Sequence, residues 1–238
     1  MADEKKIDWR DSTVRKAVAG FIVVTALPAL ILFLATGRVD WWEAWAMIGL
    51  NASVTIISRV ILLRVHPDLA AERARWTRIQ DVKAWDKVLV PIVGMCGPFL
   101  MWLIAGFDKR WNGSPQLSFE LEIAGFALVI LGYAFSMWAF LENKFFSAVV
   151  RIQADRGHIV VSTGPYRWVR HPGYAGGIVG YMLTPIALGT LWVLLPALLT
   201  SIAVIVRTAL EDAMLQAELP GYRDYSARVR YRLAPGLW

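Results

Sequence analysis

The chain has very little of what builds disulfide scaffolds or metal centres. Cys96 is the only cysteine among 238 residues, and there are three histidines. A single cysteine excludes an intramolecular disulfide framework and any site that needs several cysteines. His66, His158 and His171 do not have the spacing of metal ligands. The sequence therefore predicts neither a disulfide-rich domain nor a metal site.

Charged residues are also scarce, at 18% of the chain, whereas 57% are hydrophobic and the mean hydropathy is +0.47. This balance is typical of integral membrane proteins. A membrane-spanning helix needs ~20 mostly apolar residues to cross a ~30 Å hydrocarbon core. Four apolar segments come close to that length: 18–35, 45–63, 88–107 and 123–141.

A fifth apolar block, residues 174–206, is too long for one crossing. It contains Pro185, Gly189 and Pro196, and we predict that it folds back near Gly189 as two helices. Each arm has about 15 residues, which at ~1.5 Å per residue is slightly short of a full crossing. The predicted fold class is all-α: a polytopic transmembrane protein with about six membrane segments, of which the last two form a helical hairpin.

Basic residues are distributed unevenly between the two predicted sides of the membrane. Of the 25 Lys and Arg residues, the opposite loops contain only Arg38, Lys109 and Arg110. The positive-inside rule then places both termini and both long connections in the cytoplasm. This bias, together with anionic lipid headgroups, explains the net charge of +6, so nucleic acid is not a predicted partner. Tryptophans are predicted to mark the outer interface (Trp41, Trp42, Trp45, Trp111, Trp192) and the inner one (Trp76, Trp85, Trp168).

Two long polar connections separate the apolar segments. The first, 66–87, is amphipathic from Leu69 to Trp76, with Asp68 or a neighbour as N-cap, and is predicted to lie on the membrane surface. Arg59, inside a predicted span, is by its position a functional candidate. It is also close enough to the helix end to extend its charge to the interface, which is the favoured interpretation. The second connection, 142–171, contains the β-branched run 159–161, which predicts an extended segment.

The densest polar run of the sequence comes just before the hairpin, at 164–174, and contains two cations, an imidazole and two phenols. Pro172 suits the first position of a helix, whose unpaired N–H groups attract anions. On the second arm, Arg207 and Glu211 are one helical turn apart where the apolar stretch ends. We predict that the polar run and this turn meet in the fold. Simpler roles are an Arg207–Glu211 ion pair and a His171 N-cap.

These residues resemble the isoprenylcysteine carboxyl methyltransferases and the related phospholipid N-methyltransferases. Asp212 departs from the pattern, because many members carry a second Glu there. The resemblance implies a division into N-terminal transmembrane helices (1–141) and a C-terminal catalytic region with a cytoplasmic cofactor-binding subdomain (142–238). The matching blocks are Gly164-x-Tyr166-x-x-x-Arg170-His171-Pro172-x-Tyr174-x-Gly176, then Arg207-x-x-x-Glu211-Asp212-x-x-Leu215, then Gly221-Tyr222-x-x-Tyr225 with Arg230 and Pro235.

The same resemblance implies an S-adenosyl-L-methionine-dependent methyltransferase that acts on a lipophilic or lipidated acceptor from the membrane. Arg207 matches the residue associated with the acceptor, and Arg170 is a second catalytic candidate. The cofactor-binding candidates are Gln153, His158, Ile159, Val160, Val161, Tyr166, His171, Pro172, Gly173, Tyr174 and Glu211.

Methyl transfer from a sulfonium is an in-line displacement, so the protein mainly positions donor and acceptor and excludes water. A carboxylate acceptor is already ionised at neutral pH, whereas an ammonium acceptor needs a base. His171 and Glu211 are the only candidate bases, which favours an isoprenylcysteine-like carboxylate over a phospholipid amine. A small thiol acceptor, an NADPH-dependent sterol-reductase-like activity and a transporter or membrane scaffold are the alternatives.

Overall fold

Apolar runs of the sequence form long helices, as expected where no water is present to satisfy backbone polar groups. In the computed structural model, which describes residues 12–74, 79 and 81–238, all regular structure is helical. The helices are α1 (Ser12–Thr36), α2 (Trp42–Val65), α3 (Pro67–Ala74), α4 (Asp86–Pro91), α5 (Gly97–Trp111), α6 (Phe119–Glu142), α7 (Pro172–Ala187), α8 (Leu194–Glu218) and α9 (Tyr222–Arg228).

The predicted all-α membrane fold is confirmed. Within the described residues, four helical segments are long and apolar enough to cross a membrane: Trp42–Val65, Asp86–Trp111, Phe119–Glu142 and Leu191–Glu218. The second of these is α4 and α5 joined by the π-helical turn Ile92–Cys96, which the sequence did not indicate. α1 and α7 are the other two helices at predicted apolar segments, and six crossings remain a prediction.

The hairpin of α7 and α8 turns where the sequence predicted. Gly189 has φ +63°, a left-handed conformation that glycine adopts without a steric penalty. α7 is 16 residues long, as expected for a short arm. α8 has 25 residues, so the second arm is longer than its apolar part and extends past Val206. This extension is what carries Arg207 to Asp212 beyond the apolar stretch on a rigid helix.

α6 and α7 pack closely because both present glycines at their interface. A Cβ atom at Gly176 would lie 2.9 Å from the Ser136 backbone nitrogen and closer still to the Gly132 carbonyl oxygen. The Ser136 hydroxyl donates to the Gly173 carbonyl at 2.9 Å. Small residues that bring helix backbones together are typical of membrane interfaces. This contact fixes the position of the α7 N-terminus, where the polar run of the sequence ends.

Gly176→Ala should therefore destabilise the protein, by about 2 kcal/mol or more, because backbone atoms of α6 cannot yield to the added methyl. Gly177→Ala is the matched control, since a Cβ atom there meets nothing within 4 Å. It should be neutral or slightly stabilising, as alanine favours helices. Thermal unfolding of both variants in one detergent checks this, and equal melting temperatures would contradict the interface.

The end of the bundle with the short connections 37–41, 112–118 and 188–190 is called here the short-loop end. Trp41 was predicted to lie in the lipid interface, but its side chain is only 2% exposed and packs in the core, with the Lys109 ammonium 5.6 Å from its ring. That prediction is wrong, because the turn into α2 directs Trp41 inward and leaves Trp42 and Trp45 exposed.

The other end, which carries the connections 66–85 and 143–171, is the long-loop end. α3 forms where an amphipathic helix was predicted, but it begins at Pro67, so Asp68 lies in the first turn rather than at the N-cap. His66 contacts the Leu141 carbonyl oxygen through Nε2 at 2.7 Å, which holds α3 against the end of α6. Predictions for residues 1–11 and Trp76 fall outside the described residues.

Candidate functional site

A cavity lies at the long-loop end between the 143–174 connection, the start of α7 and the last turns of α8. Its empty volume is about 780 Å³ including the open mouth. The polar run before α7 and the Arg207–Glu211 turn both line it, so the two sequence clusters do meet.

All but one of the predicted site residues line this cavity; the exception is Pro172, which is buried at the start of α7. The wall also contains residues that were not predicted as site residues, among them Phe145, Phe146 and Tyr222, although Tyr222 belongs to a matching block of the sequence. The predicted residues on the wall are Gln153, His158, Ile159, Val160, Val161, Tyr166, Arg170, His171, Gly173, Tyr174, Arg207 and Glu211.

Asp212 is the centre of a buried polar cluster beneath the cavity. Its carboxylate is fully buried and accepts both Nε and Nη2 of Arg170, at 2.7 and 2.9 Å. Because both oxygens are occupied, Asp212 supports the wall instead of facing a ligand. Its other partners are Arg232 at 2.9 Å, Tyr222 at 3.0 Å, Gln216 at 2.8 Å and His171 at 3.3 Å.

The C-terminal tail is bound to the loop before α7 through backbone hydrogen bonds. The Arg170 amide donates to the Tyr231 carbonyl and the His171 amide to the Arg232 carbonyl, each at 2.9 Å. Arg170 Nη1 donates to two further tail carbonyls, of Val229 and Arg230. Arg170 is therefore a positioning residue that ties the tail and α8 together, a structural role that the sequence left open.

Arg207 is buried and paired with Asp86, a residue that the sequence analysis missed. Its Nε lies 2.7 Å from Asp86 Oδ1, and its Nη2 donates to the Ala148 carbonyl at 3.1 Å. The suggested Arg207–Glu211 ion pair is not formed. Asp86 also accepts the Val150 amide at 2.6 Å, so one carboxylate joins α4, α8 and the 143–171 connection.

Glu211 faces the cavity next to Tyr174. The Tyr174 hydroxyl donates to Glu211 Oε2 at 2.5 Å, and the Arg207 guanidinium carbon lies 5.2 Å from the centre of the Tyr174 ring. The Tyr174 ring is also stacked on His171, with ring centres 5.8 Å apart. Tyr174 therefore joins Glu211, Arg207 and His171 into one wall.

His171 precedes α7 as predicted, but its side chain makes no capping hydrogen bond and contacts Asp212 instead. Its carbonyl oxygen accepts the amides of Tyr174 and Ala175 at 3.1 Å. Fewer free N–H groups therefore point toward the cavity than the helix start alone suggested. His171 is the N-cap residue of α7, as the simpler interpretation suggested, but its imidazole does not cap the helix because the buried Asp212 cluster holds that ring.

The outer wall of the cavity is formed by Gln153 and His158. Gln153 is buried. Its side-chain Nε2 donates to the Phe145 carbonyl at 2.7 Å, and its side-chain Oε1 accepts a hydrogen bond from Arg156. The His158 ring packs on Phe145 with ring centres 4.5 Å apart, and its Nδ1 accepts a hydrogen bond from the backbone N–H of Gln153. Tyr166 is held from below by Asn143, whose side-chain nitrogen donates to its hydroxyl at 3.1 Å.

Burial, followed by the positive charges of Arg151 and Arg156, lowers the pKa of His158 from 6.5 to about 4. Between those values the unfolded chain binds a proton that the folded protein does not, so stability falls as pH drops from 6.5 toward 4. His158→Gln should flatten this part of the profile. Melting temperatures from pH 4 to 8 check it, and identical profiles for the two proteins would refute the shift.

The charges on the cavity wall do not cancel. Arg151 pairs with Glu72 at 2.8 Å, Arg170 with Asp212 and Arg207 with Asp86. Glu211 makes no ion pair within the described part of the chain; its contact is the neutral Tyr174 hydroxyl. Glu211 thus presents a carboxylate without an ion-pair partner beside apolar wall residues such as Val160 and Val161, which suits a ligand that combines a cation with a flat apolar group.

Comparison with known proteins agrees with this location. The family model described as phospholipid methyltransferase matches residues 121–219, which run from the first turn of α6 to just past the end of α8. No curated protein matches the chain. The matched region contains the cavity walls from Asn143 to Leu219.

Proposed function

Since the chain belongs to the group of membrane methyltransferases that includes the isoprenylcysteine carboxyl and phospholipid methyltransferases, we propose that its cavity binds S-adenosylmethionine and transfers a methyl group to a lipophilic acceptor. The observation that carries the proposal is the uncompensated carboxylate of Glu211. The cofactor has two cationic centres, an ammonium and a sulfonium, and supplies the activated methyl group. An apolar wall beside a lone carboxylate fits both parts of such a molecule.

Within this proposal each wall residue has a definite task. Glu211 holds a cationic or hydroxyl group of the cofactor, and Tyr174 fixes the orientation of that carboxylate. His158, Val160 and Val161, with Phe145, supply a flat apolar surface for a nucleobase. Arg207 keeps Tyr174 and the 143–171 connection in place through Asp86. The chain thus contributes mainly orientation and exclusion of water, which is what a sulfonium displacement requires.

A carboxylate of isoprenylcysteine type is the first acceptor class that we propose. A carboxylate needs no deprotonation, and the His171 imidazole is already engaged by Asp212 and Tyr222. A phospholipid amine is the second candidate, supported by the description of the matching family model and by Glu211 as a carboxylate able to take a proton. We further propose that the cavity opens to the cytoplasm, with both termini on that side, as the basic residues predict.

Methyl-labelled cofactor distinguishes these acceptors. Membranes that contain the protein should transfer label into the lipid-extractable fraction above the level of membranes without it. Label released as methanol by base indicates an ester, and base-stable label in the lipid indicates an amine. The proposed function is contradicted if no label reaches any lipid or lipidated protein, although the protein purified from the same membranes is folded.

A further inference from the structure

Arg73, at the end of α3, is partly buried and has no ion-pair partner in the part of the chain that the structure describes. Its guanidinium carbon lies 5.1 Å from the ring centre of Phe140 and 5.8 Å from that of Phe146. Its Nε is buried and has no hydrogen-bond partner among the described residues. A buried cation without a counter-charge is costly, so such a group normally has an anion beside it.

The neighbouring carboxylates are already engaged. Glu72, next in sequence, pairs with Arg151 at 2.8 Å, and Asp86 pairs with Arg207. Burial, followed by the charge of Arg59, lowers the pKa of Arg73 from 12.5 to about 10, which leaves the group protonated at neutral pH. Two guanidiniums, Arg59 and Arg73, therefore face the same region, and neither forms an ion pair in the described ranges.

Arg73 lies next to the cavity. Phe146 packs against Arg73 and also lines the cavity. Its ring lies so close to Gly173 that a Cβ atom at that position would collide with it. Around it, Leu62, Leu69 and Phe140 form an apolar cluster between α2, α3 and α6. On the outer face of α2, Ile56, Val60 and Leu63 are exposed at helical spacing beside Arg59. A lipid chain along this face would reach the two cations first and the cavity wall next.

We propose that Arg73 and Arg59 form an anion subsite for the acceptor, which binds an oxyanion (a carboxylate or a phosphate) of a lipid. The tail of this lipid lies along α2, and its reacting end reaches the cavity past Phe146. This inference rests on the proposed function and makes it more specific, since the acceptor is then an anionic lipid. Arg207, already neutralised by Asp86, is not the main anion receptor.

Dodecyl phosphate and dodecanoate are suitable probes, titrated into the purified protein in a neutral detergent without cofactor. We expect saturable binding of at least one of them, and the tighter ligand indicates which oxyanion the subsite favours. Arg73→Gln should weaken that binding at least tenfold. Arg64→Gln, at an exposed position near the end of α2, is the matched control and should bind within twofold of the original protein. Equal losses in both variants would show general surface attraction and overturn the subsite.

A lipid acceptor makes two further demands. Inorganic phosphate should compete at least a hundredfold less well than dodecyl phosphate, and equal competition would overturn the lipid assignment. The bound probe should inhibit methyl transfer in membranes competitively with the acceptor and not with S-adenosylmethionine. Binding at Arg73 without inhibition would mean a structural lipid site and would also overturn the proposal.

The cofactor provides the independent check. S-adenosylmethionine affinity, measured by calorimetry, should be unchanged in Arg73→Gln, which separates loss of the subsite from loss of the fold or of the proposed function. If that variant does not fold, Arg59→Gln carries the test, because Arg59 is exposed on α2. It should weaken probe binding at least threefold, and unchanged binding would overturn the proposal.

Discussion

Asp212→Ala should destabilise the long-loop end by about 3–5 kcal/mol, the usual cost of removing one partner of a buried ion pair. The carboxylate is fully buried and is the ion-pair partner of both Arg170 and Arg232, which the substitution would leave without a counter-charge. Because Arg170 also binds the tail carbonyls of Val229 and Arg230, we expect α9 and the tail to detach together. The melting temperature of the purified variant should fall by roughly 6 °C or more.

Asp224→Ala is the matched control, since Asp224 is exposed on α9 and its loss should change the melting temperature little. Asp212→Asn keeps the shape of the side chain but not its charge, and should give an intermediate result. Limited proteolysis locates the damage, with new cleavage expected between 219 and 238. If Asp212→Ala has the same melting temperature as the original protein, the buried cluster does not stabilise the long-loop end.

Glu211→Gln should weaken S-adenosylmethionine binding at least tenfold while the melting temperature changes little. The amide keeps the size of the side chain but removes the negative charge that attracts a cation, and it weakens the hydrogen bond from Tyr174. Tyr174→Phe removes that hydrogen bond and leaves the charge, so it should cost less affinity than Glu211→Gln. Calorimetric titration of the three proteins with the cofactor gives the order directly.

The control for this series is Glu218→Gln, two turns further along α8, where the carboxylate pairs with Lys83 at the surface. Its cofactor affinity should match that of the original protein. If Glu211→Gln and Glu218→Gln bind equally well, the charge argument for the cavity fails even if the fold is correct.

The sequence predicted most of the fold because membrane helices are specified locally. Segment length, Gly189 at the turn and Pro172 at a helix start are short-range signals, and each corresponds to a boundary in the structure. Pro220, two residues after the end of α8 at Glu218, is another short-range signal of a helix end. The meeting of the polar run with Arg207 and Glu211 followed from the hairpin, which returns α8 to the level of the α7 N-terminus.

The partners of charged side chains were not predictable in the same way. Arg207 and Asp86 are 121 residues apart, and their pairing depends on how α4 packs against α8. The available signal was a carboxylate at the start of an apolar segment, which needs a buried partner if it faces the bundle. Similarly, Trp41 differs from Trp42 only in the direction that the turn before α2 gives each side chain.

Photocrosslinking of labelled S-adenosylmethionine to the purified protein, followed by mapping of the labelled peptides, is the most direct measurement of the central claim. Label should fall on the walls at 143–174 and 207–225, saturate with cofactor concentration and decrease in Glu211→Gln. Label confined to other segments, or a signal that rises linearly without saturation, would contradict a cofactor site in this cavity.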